Sequence, residues 1–146
     1  GTFSVQAIAK ATGAAEAEHA AASGALQLAQ GASSALVSVV NSGKAQVEAV
    51  AHGTARTGLA SNVALAGGFG QEPLSIGTAT ASMANSGIVS VDADAKAVSG
   101  GTAFAGALAR GIVQDPSFGT LKAALDNKGQ IEVVANASAI VASSGR

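Results

Sequence analysis

The run Val89-Ser90-Val91-Asp92-Ala93-Asp94-Ala95-Lys96-Ala97-Val98-Ser99, continued past Gly100-Gly101 by Thr102-Ala103-Phe104-Ala105-Gly106-Ala107-Leu108-Ala109, decides the fold. Its odd positions carry only Val, Ala, Ser and Gly, whereas Ser90, Asp92, Asp94, Lys96, Thr102 and then Arg110 fall on even ones. Successive side chains of a strand point to opposite faces, so this is the pattern of a strand with a small inner face and a polar outer one. On a helix the same alanines would wrap around the cylinder and leave no apolar stripe. Alanine is nonetheless the best helix former. Helix is therefore expected, if anywhere, in residues 13–31, which contain Ala14-Ala15-Glu16-Ala17-Glu18-His19-Ala20-Ala21-Ala22, and in 119–126. Glycine does not recur at every third residue, which excludes a collagen-like bundle.

Working outward from this run, the chain repeats itself. Asn85-Ser86-Gly87 before it matches Asn41-Ser42-Gly43 upstream and Asn127-Lys128-Gly129 downstream, with Gly1 aligned as a truncated first copy. Four residues after each glycine stands a valine: Val5, Val47, Val91 and Val133. Small residues follow in columns, Ala7/Ala49/Ala93/Ala135, Ala9/Ala51/Ala95/Ala137 and Ala11/Gly53/Ala97/Ala139. A second landmark keeps the same phase: Gly24-Ala25-Leu26-Gln27 matches Gly68-Phe69-Gly70-Gln71 and Gly111-Ile112-Val113-Gln114. Gln27, Gln71 and Gln114 precede the next Asn by 14, 14 and 13 residues. Repeats of approximately 1–40, 41–84, 85–126 and a partial 127–146 follow, within one domain spanning 1–146.

Fixed-period alternating strands without helical spacers specify an all-β fold, a parallel β-solenoid or β-helix in which each coil stacks on the next. The two halves of a unit are dissimilar, so one wide, flattened coil of about 42–44 residues is expected rather than two short ones. Asn-Ser-Gly suits a corner, with Gly supplying positive φ and Asn bonding local backbone. Stacked Asn41, Asn85 and Asn127 would form an amide ladder. A second corner is expected at Ser99-Gly100-Gly101 and Thr57-Gly58, and a third at Gln71-Glu72-Pro73 and Gln114-Asp115-Pro116, where proline ends a strand.

Composition fits such coils and little else. Of 146 residues, 36 are Ala, 19 Gly and 16 Ser, against four Phe and no Trp or Tyr, so large interlocking side chains cannot fill the interior. The core must be thin, Ala-rich and stabilised by ladder hydrogen bonds. Net charge is −1 and the eight Lys and Arg are scattered, which with the lack of aromatic platforms argues against nucleic-acid binding. There is no Cys, hence no disulfide scaffold or thiolate metal site, and no run of about 18 apolar residues that would span a membrane as a helix.

The pattern Asn-Ser-Gly-x-x-x-Val-x-Ala-x-Ala, then alternating Ala, then Gly-(Ile/Phe)-x-Gln, resembles the tandem repeats in the β-helical passenger regions of large Gram-negative autotransporter-like surface adhesins. The first copy departs most, lacking Asn-Ser before Gly1 and carrying Ala25-Leu26. The resemblance implies an extracellular or bacterial cell-surface location and a structural or adhesive role, and it brings no catalytic residues.

Chemistry-bearing constellations are sparse. No His-Glu-x-x-His, phosphate loop or Gly-x-Ser-x-Gly occurs, and His52 falls on the outer face in the column of Lys10 and Lys96. The metal candidates are Asp92 and Asp94, about 7 Å apart on one strand face, beside Glu48, but Lys96 stands where a third oxygen ligand is wanted. No catalytic residue and no cofactor are expected. The expected partners are copies of itself, stacked head to tail, or flanking repeats of a longer chain, because no polar cap is evident at either end. An ice-binding flat solenoid is the alternative, although only Thr78-Ala79-Thr80 pairs threonines closely among eight Thr.

Overall fold

A computed structural model describes residues 1–142, so the last four residues of the expected partial repeat, 143–146, lie outside the described residues. In chain order the strands are β1 (Thr2–Gly13), β2 (Glu16–Gly31), β3 (Ser34–Asn41), β4 (Lys44–Ala55), β5 (Leu59–Ser75), β6 (Thr78–Asn85), β7 (Ile88–Ser99), β8 (Thr102–Gln114), β9 (Thr120–Asn127) and β10 (Gln130–Val141). Every third strand pairs, always in parallel. The first sheet is β1-β4-β7-β10, the second β2-β5-β8 and the third β3-β6-β9. The protein is therefore a parallel β-solenoid whose coil is three strands long.

Thr2 pairs with Lys44, Lys44 with Ile88 and Ile88 with Gln130, steps of 42, 44 and 42 residues. Val5, Val47, Val91 and Val133 are thus direct neighbours across the first sheet. The differences in coil length are absorbed in the turns. Ala14-Ala15 joins β1 to β2, Arg56-Thr57-Gly58 joins β4 to β5, and Gly100-Gly101 joins β7 to β8. At the last of these, Ser99 Oγ donates to Gly58 O (2.6 Å) and accepts from Gly101 N (2.8 Å), linking two coils through one hydroxyl.

Neither segment with helical propensity is helical. Residues 16–31 and 120–127 are strands, each paired along its length with the equivalent strand of the neighbouring coil. Propensity is a weak preference, and a ladder in which every residue finds a partner overrides it.

The long second strand covers both others. Its first half packs on the first sheet and its second half on the third, and it bends between them at Gly24, Gly68 and Gly111, which drop out of the pairing register. Ala64, Ala66 and Gly68 face inward on even positions, but Gln71, Pro73 and Ser75 do so on odd ones, so the bend reverses the phase. The reason for glycine here is close approach. A Cβ on Gly68 would collide with the carbonyl of Gly111 and come within 3.0 Å of Val91 Cγ2, and one on Gly24 would meet Val47 in the same way. The repeated valine is thus a knob reaching from the first sheet into a glycine hole in the second, which couples the two sequence landmarks.

Two expected features of the corners are different. Gln71-Glu72-Pro73 lies inside β5, and the turn of that coil is Ile76-Gly77, where Gly77 N donates to Ser75 Oγ (3.1 Å). Pro73 has no N–H to give to the next coil, and the β5–β8 ladder stops at the Gln71–Gln114 pair, so the proline interrupts one pairing without ending its strand. In the third coil Asp115-Pro116 does leave the ladder. The glycines of Asn-Ser-Gly do not have positive φ; among the described residues Gly119 is the glycine that does (φ 61°), beside Phe118 (φ 66°). Gly43, Gly87 and Gly129 are instead stacked so closely that a Cβ on any of them would strike the carbonyl of the glycine one coil before.

The interior is methyl-lined, with Ala49, Ala51, Ala93 and Ala95 fully buried and Val47, Val91 and Met83 as larger fillers. Two amides are buried with them at 0% exposure. Gln71 Nε2 donates to Ser82 O (2.8 Å) and its Oε1 accepts from Gln114 Nε2 (2.9 Å). Asn62 Nδ2 donates to Lys96 O (2.7 Å), pinning the second sheet to the first. The same inward columns are open in the last strands. Val133 is 44% exposed where Val91 is 1%, and Leu125 is 47% where Met83 is 1%.

Candidate functional site

The residues singled out in the sequence fall into two groups, interior or corner columns and the outer face of the first sheet. In the first group, Asn41 Nδ2 donates to Asn85 Oδ1 (2.8 Å) and Asn85 Nδ2 to Asn127 Oδ1 (2.6 Å), an amide ladder along the corner. Gln27, Gln71 and Gln114 stack in register across the second sheet, just past its bend. These columns hold coils together and present nothing reactive to solvent. Sequence reasoning missed the glycine bend and Asn62. The signal for the bend was present: Gly-x-x-Gln sets two inward residues three apart, and an odd spacing between inward positions requires a change of phase.

The outer face of the first sheet carries seven charged side chains, Lys10, Lys44, Glu48, Asp92, Asp94, Lys96 and Glu132. Neighbouring strands bring Gln6, Glu48 and Asp92 into one column, and Lys10, His52 and Lys96 into another. Gln6 Nε2 donates to Glu48 Oε2 (2.5 Å), and His52 Nε2 lies 2.7 Å from Asp94 Oδ2. Asp92 is half-buried, and its Oδ1 has neither solvent nor a hydrogen-bond partner. Burial raises its carboxyl above the ordinary aspartate range, and the charges of Glu48, Asp94 and Glu132 raise it further.

Asp92 and Asp94 share this face but do not assemble a ligand shell, because Asp94 is engaged by His52 and Lys96 follows. Among the described residues no group of three or more His, Asp or Glu side chains is arranged to hold a metal ion. Among the described residues the His52 ring hydrogen-bonds to Asp94 and to no Ser or Thr hydroxyl. Ser138, the hydroxyl of that column, is two strands away across Lys96, about 10 Å at ordinary strand spacing and beyond hydrogen-bond reach. Lys10, His52 and Lys96 line a shallow depression with Thr12 and Thr54, open to solvent along the sheet.

The outer face of the third sheet carries the hydroxyl column Ser34, Thr78 and Thr120, but Thr80 is flanked by Leu36 and Lys122, so no wide threonine rank forms. Among the described residues no helix is long and apolar enough to cross a membrane. No family model, curated protein or solved structure matches the chain.

Proposed function

We propose that the protein is a structural or adhesive solenoid module of an extracellular or bacterial surface fibre, of the kind its repeat pattern resembles, and that it works by length, rigidity and surface presentation rather than catalysis. The observation that carries this reading is the continuous, in-register stacking of three parallel sheets over a methyl-lined interior. Across that interior Val47 and Val91 are seated against Gly24 and Gly68. Its partners in this reading are further coils of the same kind, whether flanking repeats or second copies joined end to end. Stacking another coil would bury Leu121, Leu125 and Val133, whose columns are sealed one coil earlier.

Electron microscopy with fibre diffraction tests the end-to-end version. Filaments with an axial repeat of about 4.7–4.8 Å are expected. A monodisperse monomer at millimolar concentration would leave only the flanking-repeat version. Thermal hysteresis of freezing, measured on the same sample, decides against the surface-fibre reading in favour of ice binding if it is large.

A further inference from the structure

The outer face of the second sheet is apolar where that of the first is charged. Before the bend it consists of four columns across β2, β5 and β8: Ala17/Ser61/Phe104, His19/Val63/Gly106, Ala21/Leu65/Leu108 and Ser23/Gly67/Arg110. Phe104 is 54% exposed and Leu108 45%. Inward packing does not account for them, since their strand neighbours Ala103, Ala105, Ala107 and Ala109 face the interior.

The size pattern of these columns is specific. In each one a small residue at one edge strand is matched by a large one at the other: Ala17 with Phe104, Ala21 with Leu108, Ser23 with Arg110 and, reversed, Gly106 with His19. A two-fold axis lying along β5 carries β2 of one copy over β8 of the next within the same column. Every large side chain on the edge strands then meets a small one, while Val63 and Leu65 on the axis meet their own counterparts. Such an isologous match is the condition for a closed dimer.

We infer that this face pairs with the same face of a second copy, side by side and with the two solenoid axes antiparallel. The four columns span about 25 by 15 Å, so pairing removes about 750 Å² in total, below the size of a permanent interface and within that of a reversible one. Area alone does not fix affinity, and a face of this size belongs to the weak, reversible class of interface. A lipid surface is the poorer occupant, because Arg110 and His19 are the only basic side chains in the four columns and anionic headgroups call for basic clusters.

Sedimentation velocity from about 1 to 300 μM tests the pairing, with a monomer–dimer transition of the wild-type chain expected inside that range. Leu65→Asp, which sets two carboxylates against each other on the axis, is expected to weaken dimerisation at least about 100-fold. At chain concentrations low enough for the wild type to be monomeric, the variant should still melt cooperatively, because Leu65 faces outward and is only half-buried. Ala21→Leu alone should weaken the dimer about 10-fold by opposing Leu108, and Ala21→Leu with Leu108→Ala should restore it. A chain that stays monomeric at 300 μM, a dimer that survives Leu65→Asp, or failure of the double variant to recover would overturn the inference. So would binding of the wild type to anionic vesicles, lost in Leu65→Asp, without any dimer. Filaments built by end-to-end stacking do not use Leu65, so their persistence in Leu65→Asp separates this pairing from the proposed fibre assembly.

Discussion

Two adjacent glycines in β5 have opposite requirements. A Cβ on Gly67 would meet nothing within 4 Å, whereas one on Gly68 would strike Gly111 backbone and crowd Val91. Gly68→Ala is therefore expected to cost more than about 2 kcal/mol, and Gly67→Ala to be neutral or to stabilise by about 0.5 kcal/mol through the unfolded chain. Thermal melts followed by circular dichroism on the two variants check the contrast. Phe118 holds a left-handed φ of 66° in the turn before β9 and is 67% exposed, so it gives up little packing on substitution. Phe118→Gly should stabilise by about 1 kcal/mol, read as a shift in denaturant midpoint. Asp92 has a raised pKa, so its neutral form is favoured in the fold, and the stability this brings at low pH is lost as pH rises through the folded value. Asp92→Asn is expected to raise the melting temperature at pH 7. The gain should vanish as pH falls below the ordinary aspartate value of 3.8. A gain that stays constant across that range would mean that packing, and not charge, is responsible.

At the scale of strands, the elements legible in the sequence are those whose role demands the same residue in every coil. Asn41, Asn85 and Asn127 stack on one another and also bond the corner backbone beside them, and Val47 and Val91 fill equivalent holes, so both recur visibly. The bend in the second sheet was not legible as a corner because Pro73 and Pro116 drew the break toward themselves. Pro73 lacks only its own donor: its carbonyl still accepts from Ser117 N (2.9 Å) and Ser75 N donates to Ser117 O (3.2 Å), so the strand runs on past it. The segment Ala14–Ala22 was ambiguous because its propensity is local, while the partners that make it a strand, Ala60 to Ala66, lie a full coil away. On the outer face of the first sheet the columns could be assigned from the repeat, but the His52–Asp94 contact is diagonal between neighbouring columns, and only side-chain geometry reveals it. Strand position also sets protection against hydrogen exchange. β4 and β7 have a paired neighbour on each side and a sealed inner face, whereas β10 pairs only with β7 among the described residues and its inner alanines are open. Amides of β4 and β7 should exchange orders of magnitude more slowly than those of β10, as mass spectrometry of labelled peptides would show.

For the molecule as a whole, few contacts are local: strands pair with those three places away in the chain, about one coil distant. Each repeat contacts its neighbours and little else, so stability is a sum over coils and interfaces, and unfolding is expected to begin where inner columns are open. The amphipathic contrast between the charged first sheet and the apolar second one gives such an array two distinct sides. One side is suited to staying in water and the other to meeting another surface.

The winding itself makes the protein a store of length. Each coil holds 42–44 residues while adding only one strand spacing to the axis. Peeled from an end under tension, a coil releases about 140 Å of chain in exchange for about 5 Å of rod. Stretched between its termini in a single-molecule force experiment, the chain should lengthen in a staircase with steps of about that size, each marking the rupture of one turn's ladders. A tether built this way would resist small loads as a stiff rod and absorb large ones by unspooling, turn by turn, before any covalent bond is strained.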